Sequence, residues 1–171
     1  FFRQDTPADL PPAPARMLGE AYCLWNGDAP IDAPIRLSLP IPTDAAKPER
    51  VHLYRVTQNG WTCLDTERGA GRLSLTTRTV GTFAAMEDID PPEVELVKAA
   101  AANPAQWPRP AIEVHVRDAA SGIAEIRSTC NGRWLLMDYD PEKGLVTWAR
   151  DEDLPDPPVA LDLTVTDQAG N

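Results

Sequence analysis

Ile35, Leu37, Leu39 and Ile41 alternate with Arg36, Ser38 and Pro40, and this period of two returns along most of the chain. Leu73 and Leu75 alternate with Arg72, Ser74 and Thr76. Ile112, Val114 and Val116 alternate with Glu113, His115 and Arg117, and Leu161, Leu163 and Val165 with Asp162, Thr164 and Thr166. Successive side chains of a strand point to opposite faces, so alternation sets one face on a core and the other in water. A helix needs apolar residues three and four apart instead. The chain must bury its apolar residues between sheets, and the expected class is all-β. The one helix-like run, Val94 to Ala102, sits between Pro91-Pro92 and Asn103-Pro104, and its alanines suit a loop as well as a helix.

Proline placement divides the sequence. There are 18 in 171 residues, roughly twice the usual ~5%. Pro7, Pro11, Pro12 and Pro14 make residues 1–17 read as an extended lead-in or linker. No proline lies between Pro48 and Pro91, which leaves room for uninterrupted ladders. Asp88-Ile89-Asp90-Pro91-Pro92 reads as a stiff joint between modules at 18–88 and 89–171. In two places, Asn59-Gly60-Trp61 and Asn131-Gly132-Arg133-Trp134, Asn-Gly follows a β-rich run with a Trp close behind. Asn-Gly is a hairpin signal because type I′ turns need positive φ at both central residues. The repeat suits two tandem antiparallel sandwiches of roughly 80 residues each.

Charge narrows the function classes. The net charge is −10, and non-specific nucleic-acid binding or docking on an anionic membrane needs the opposite sign. The acidity is uneven. Residues 1–88 carry 9 basic and 11 acidic side chains, residues 89–171 carry 7 and 15. No apolar run approaches the ~18 residues of a membrane helix, so membrane insertion is not expected. The chain begins Phe1-Phe2-Arg3 without a signal-peptide pattern and ends on the turn signal Asp167-Gln168-Ala169-Gly170-Asn171. It reads as a segment of a longer polypeptide, with a neighbouring domain as its first expected partner.

A search for chemistry finds little. The two histidines, His52 and His115, fall in different modules, and no HxH, HExxH, HxxxD, GxSxG or phosphate-loop motif is present. No catalytic residue or zinc ligand is therefore expected. The three cysteines lack a CxxC pair; Cys130 reads as unpaired, and Cys23 with Cys63 is the only plausible disulfide. Asp138-Tyr139-Asp140-Pro141-Glu142-Lys143 superficially resembles a calcium loop, but Lys143 replaces the required Gly and Ala149 the bidentate Glu, so a hairpin turn is the plainer reading. Asp88 and Asp90 at the joint, with Asp118, are the one set of acids that suits a calcium ion, against the commoner role of capping turns. The acid-rich segment Asp151 to Pro158 reads as a solvated turn. Trp134-Leu135-Leu136-Met137 is apolar on both sides of its expected strand. That marks either a packed central strand or an interaction patch at Trp134, Leu135 and Met137.

In the second module the motifs form a series: Asp90-Pro91-Pro92, then Val114 to Ile123 with Asp118-Ala119-Ala120-Ser121-Gly122, then Asn131 to Asp140, then Val165 to Asn171. This series resembles the immunoglobulin-like β-sandwich module of bacterial cell-envelope proteins. It is most similar to the region that follows the catalytic domain in some M23-type (LytM-like) metallopeptidases of Gram-negative bacteria. Gly60-Trp61 and Gly81-Thr82-Phe83-Ala84 are similar to the sandwich that often precedes it. The resemblance implies a non-catalytic accessory region at a periplasmic, cell-surface or extracellular location, with cell-wall glycan or another envelope protein as a further partner. A carbohydrate-binding module would need exposed Trp or Tyr in a row. A small carboxylate hydrolase would need two acids roughly 5–10 Å apart in one cleft. No cofactor is expected beyond the calcium alternative.

Overall fold

The computed structural model describes residues 2–3, 10–24, 32–99, 112–148 and 160–171. Among these residues every strand pairing is antiparallel and no α-helix occurs. The architecture is all-β. The chain forms two units: Phe1–Asp90 with Ala119–Ser121 and Gly170, and Pro91–Asp118 with Gly122–Ala169 and Asn171.

The first unit holds β1 (Phe2–Arg3), β2 (Arg16–Leu24), β3 (Ile35–Pro40), β4 (Val51–Thr57), β5 (Gly60–Leu64), β6 (Glu67–Gly69), β7 (Arg72–Thr77) and β8 (Gly81–Glu87). One sheet has the order β1-β2-β8-β4-β5 and the other β3-β7-β6. The alternation of β3 and β7 sends Leu37, Leu39, Leu73 and Leu75 onto Leu18, Val51, Leu53, Phe83 and Ala85 of the larger sheet. Burying each such side chain contributes about 1.5–3 kcal/mol. Central strand β8 is buried on both faces, since Ala84 and Met86 pack with Ala21 and Tyr54 on the opposite side. Leu10 and Ala15 pack against that second cluster, and Trp61 Nε1 donates to the Pro11 carbonyl at 3.0 Å. The described part of the Pro-rich lead-in therefore covers a sheet face, where the sequence left lead-in and linker both open. Glu87, which closes β8, is buried as an ion pair with Arg16 at 3.1 Å and accepts the Lys47 amide. A buried carboxylate requires such partners.

The first Asn-Gly hairpin differs from its expected form. Thr57 pairs with Gly60, so the loop residues are Gln58 and Asn59, and Gly60 follows with φ 106°. Only Gly60 takes positive φ there, with the Thr57 hydroxyl accepting the Asn59 amide and donating to the Gly60 carbonyl. The disulfide expectation is also corrected. Cys23 lies on β2 and Cys63 on β5, three strand spacings apart in one sheet. That is roughly 14 Å at ~4.8 Å per strand, twice the reach of a disulfide. None of the three cysteines is in a disulfide. Titration of the denatured, unreduced protein with a thiol reagent should count three; a count of one would contradict this sheet order.

The second unit holds β9 (Glu93–Ala99), β10 (Ile112–Arg117), β11 (Ile123–Cys130), β12 (Arg133–Trp134), β13 (Asp138–Asp140), β14 (Leu145–Trp148) and β15 (Leu161–Asp167). Its sheets run β13-β14-β10-β9 and β12-β11-β15. Val114, Val116 and Val146 form the core, with Ile112, Ile123, Ile126, Met137, Leu163 and Val165 around it. The helix-like run from Val94 is strand as far as Ala99; residues 100–102 lie outside the described residues. Its pattern misleads because β9 is an edge strand with a bulge: Val114 pairs with Leu96 and Glu113 with Lys98, leaving Val97 as the extra residue. Val94, Leu96 and Val97 are all exposed. A bulge on an edge strand is a common guard against unwanted pairing.

Candidate interaction surface

The second Asn-Gly turn places the candidate site. Asn131 (φ 49°) and Gly132 (φ 75°) both take the left-handed conformation, as a type I′ hairpin between β11 and β12 requires. Asn131 donates its amide to the Ala160 carbonyl and accepts the Ala160 amide on Oδ1, both at 2.8 Å, which ties the turn to the start of β15. The short β12 brings Trp134 opposite Thr129. Leu135 is then held at both ends of its peptide unit by Ser128. Its amide donates to the Ser128 carbonyl at 3.0 Å, and its own carbonyl accepts the Ser128 hydroxyl at 2.6 Å.

This pinning decides which side chains face out. Met137 packs on the valine core, while Trp134 is 74% exposed and Leu136 is 67% exposed. The sequence grouped Trp134, Leu135 and Met137; the structure gives the outward role to Trp134 and Leu136, joined by Tyr139. The segment 135–137 is not assigned as strand, yet its exposure still alternates, with Trp134 and Leu136 on one side and Leu135 and Met137 on the other. Together with Ile123, Glu125 and Ile126 of β11, these residues line a groove of about 190 Å³. Among the described residues Glu125 is its only charged lining residue, and it pairs with Arg127 at 2.8 Å. Both partners are half or more exposed, so the pair holds Glu125 only weakly.

Of the acids considered for calcium, Asp88 and Asp90 belong to the first unit and Asp118 to the second. In the first, Asp88 is buried and accepts the Asp90 and Ser121 amides, while Asp90 is exposed. In the second, Asp118 accepts the Gly122 amide at 2.6 Å. Asp167, missed in the sequence reading because it sits in a turn signal, lies with a carboxylate oxygen within 4.8 Å of one from Asp118. Asp167 accepts the main-chain and side-chain N–H groups of Asn171. The carboxylates of Asp88, Asp118 and Asp167 thus cap turns. His115 faces the Gly144 carbonyl at 3.4 Å, and His52 is half-buried on β4 of the first unit. Ala149 and the Asp151–Pro158 acids lie outside the described residues.

Asp140 closes the β13–β14 hairpin, with the Glu142 and Lys143 amides and the Lys143 ammonium all donating to it. The hydrogen bond from the Lys143 side chain, with its neighbours, holds the Asp140 carboxyl below its ordinary value. A depressed carboxylate stabilises the fold above its unfolded value and loses that effect as pH falls through the folded value. Carbon-detected NMR titration should therefore find Asp140 titrating below the ordinary aspartate range, and Lys143→Met should move it upward. An unmoved Asp140 would remove the pairing. No known protein family, curated protein or solved structure matches this chain.

Proposed function

We propose that this chain is a non-catalytic accessory region of a larger bacterial envelope or secreted protein, and that it engages a partner through the Trp134–Leu136–Tyr139 face of its second unit. The observation that carries this reading is a tryptophan and a leucine each two-thirds or more exposed on one groove. Large apolar side chains gathered at the surface are the usual mark of an interaction site, and Trp and Tyr are the commonest anchors. The envelope setting and the M23-type parent rest on the turn motifs around Asp118, Asn131 and Asp167. Among the described residues no helix is long and apolar enough to cross a membrane.

A second reading is a glycan-binding module, favoured by the two aromatic rings, Trp134 and Tyr139, on the same groove. The hydrolase reading is weaker, because among the described residues the groove carries Glu125 as its one carboxylate where hydrolysis needs two. A photoreactive phenylalanine at position 134, with exposed Thr62 of the first unit as control, tests the proposal in cells making the full parent protein. A discrete adduct at 134 and none at 62 supports it, and protein or glycan staining of that adduct separates the two readings. Equal trapping at both positions would overturn it. The partner variant Trp134→Ala should lose the interaction while changing stability by no more than about 0.5 kcal/mol, as expected for an exposed side chain.

A further inference from the structure

We propose that Asn59 is a site of spontaneous deamidation to aspartate and isoaspartate, and that the fold shields Asn131 from the same reaction. The chain has three Asn-Gly pairs; Asn26-Gly27 lies outside the described residues, and the other two sit at hairpin turns. The reaction needs no enzyme. The main-chain nitrogen of the glycine loses its proton and attacks the asparagine Cγ, closing a succinimide ring. The Cγ–Nδ2 bond breaks, and Nδ2 takes up a proton and leaves as ammonia. Water then opens the ring at either carbonyl, giving aspartate or isoaspartate with no change of oxidation state. Glycine favours the closure because it has no Cβ to crowd the attacking nitrogen and the freest backbone.

Glycine follows both asparagines, and both glycines have open space where a Cβ would stand, so the two sites differ only in how the asparagine is held. Asn131 is fastened twice to one residue. Its Oδ1 accepts the Ala160 amide and its own amide donates to the Ala160 carbonyl, both at 2.8 Å. To bring Cγ onto the Gly132 nitrogen the side chain must give up the first bond, and the second holds the main chain against the rotation. Asn59 is exposed at the tip of the β4–β5 hairpin. Its amide donates to the Thr57 hydroxyl at 3.3 Å, and no hydrogen bond holds its side chain among the described residues. Gly60 pairs with Thr57 at the very end of the ladder, where strands fray first. The contrast has a consequence for the surface described above. A succinimide at 131 would untie the turn that sets Trp134, whereas one at 59 alters a hairpin tip and leaves a negative charge there.

The test ages the 171-residue chain in warm, mildly alkaline buffer and follows each Asn-Gly peptide by mass spectrometry after digestion. Residue 59 is expected to convert about tenfold or more faster than residue 131, because breaking the hydrogen bonds before ring closure costs at least that factor in rate. In denaturing urea the two rates should converge. Ala160→Pro removes the N–H that holds Asn131 Oδ1, at the start of β15 where proline is tolerated. It should speed conversion at 131 and leave 59 unchanged. No conversion at 59, equal or faster conversion at 131 in the folded chain, or a gap that persists in urea overturns the proposal. So does an unmoved rate at 131 in an Ala160→Pro chain that keeps its native amide spectrum. If that variant does not fold, the native and urea rates decide alone.

Discussion

Replacing Phe83 with alanine is expected to remove about 3–5 kcal/mol from the first unit, the range for deleting a buried aromatic ring. Phe83 is 1% exposed at the middle of β8, flanked in the sheet by β2 and β4. Its ring meets the leucines that β3 and β7 bring from the other sheet, so no flexible surface can close over the cavity. A small sandwich has only about 5–15 kcal/mol in total. The measurement is amide protection of β4 and β8 across a urea series. With a slope of about 1–3 kcal/mol per molar, the midpoint should fall by a molar or more. Phe83→Leu, which keeps most of the volume, should cost less than about 1.5 kcal/mol. A loss below about 1 kcal/mol for the alanine variant would mean that the two sheets do not meet at this ring.

The second large effect is expected at Gly144. It ends the four-residue loop between β13 and β14 with φ 59°, a conformation that costs other residues roughly 1–2 kcal/mol. A Cβ there would also stand 2.7 Å from the Val116 carbonyl oxygen, which is backbone of β10 and has no room to retreat. The same contact carries function in the fold, since the Val116 amide donates to the Gly144 carbonyl at 2.9 Å. Gly144→Ala should therefore cost about 2–4 kcal/mol, the sum of the conformational cost and a displaced strand. Gly132→Ala is the matched control. It shares the positive φ (75°) but has open space around its Cβ position, so only the conformational cost of about 1–2 kcal/mol applies. Thermal unfolding of the two variants side by side gives the contact by difference. Equal losses would mean that the loop does not press on β10.

Local signals proved readable where the physics is local. The alternation around Leu37, Leu73 and Val114 translates directly into strands, because one covered face repeats every second residue. Asn131-Gly132 forms the turn its φ preferences dictate. What escaped depends on residues far along the chain. The β9 assignment needed the bulge at Val97, which only the pairing with β10 reveals. The Cys23–Cys63 pairing failed on strand order, a property of β2, β8, β4 and β5 together. At the candidate surface the Trp134 signal was visible, but its companion was misassigned. All four residues from Trp134 to Met137 are apolar, so the sequence carries no polar partner to mark the outward side; the two hydrogen bonds between Ser128 and Leu135 fix it. The fold of the described residues was thus largely legible; the site was legible as a neighbourhood and not as a list of side chains.

The packing of Leu10 and Ala15 on the first unit's larger sheet sets where this protein can be cut. A fragment begun at residue 18, the boundary that proline content alone suggests, would lose both side chains and the Pro11 carbonyl that anchors Trp61. The face formed by Ala21, Tyr54, Ala84 and Met86 would then keep Trp61 and Cys63 but lose Leu10, Ala15 and Met17, and apolar sheet surface would meet water. Such a fragment should precipitate or associate with itself on expression, whereas one begun before Leu10 should stay dispersed. Eight short residues decide the difference between a workable reagent and an aggregate.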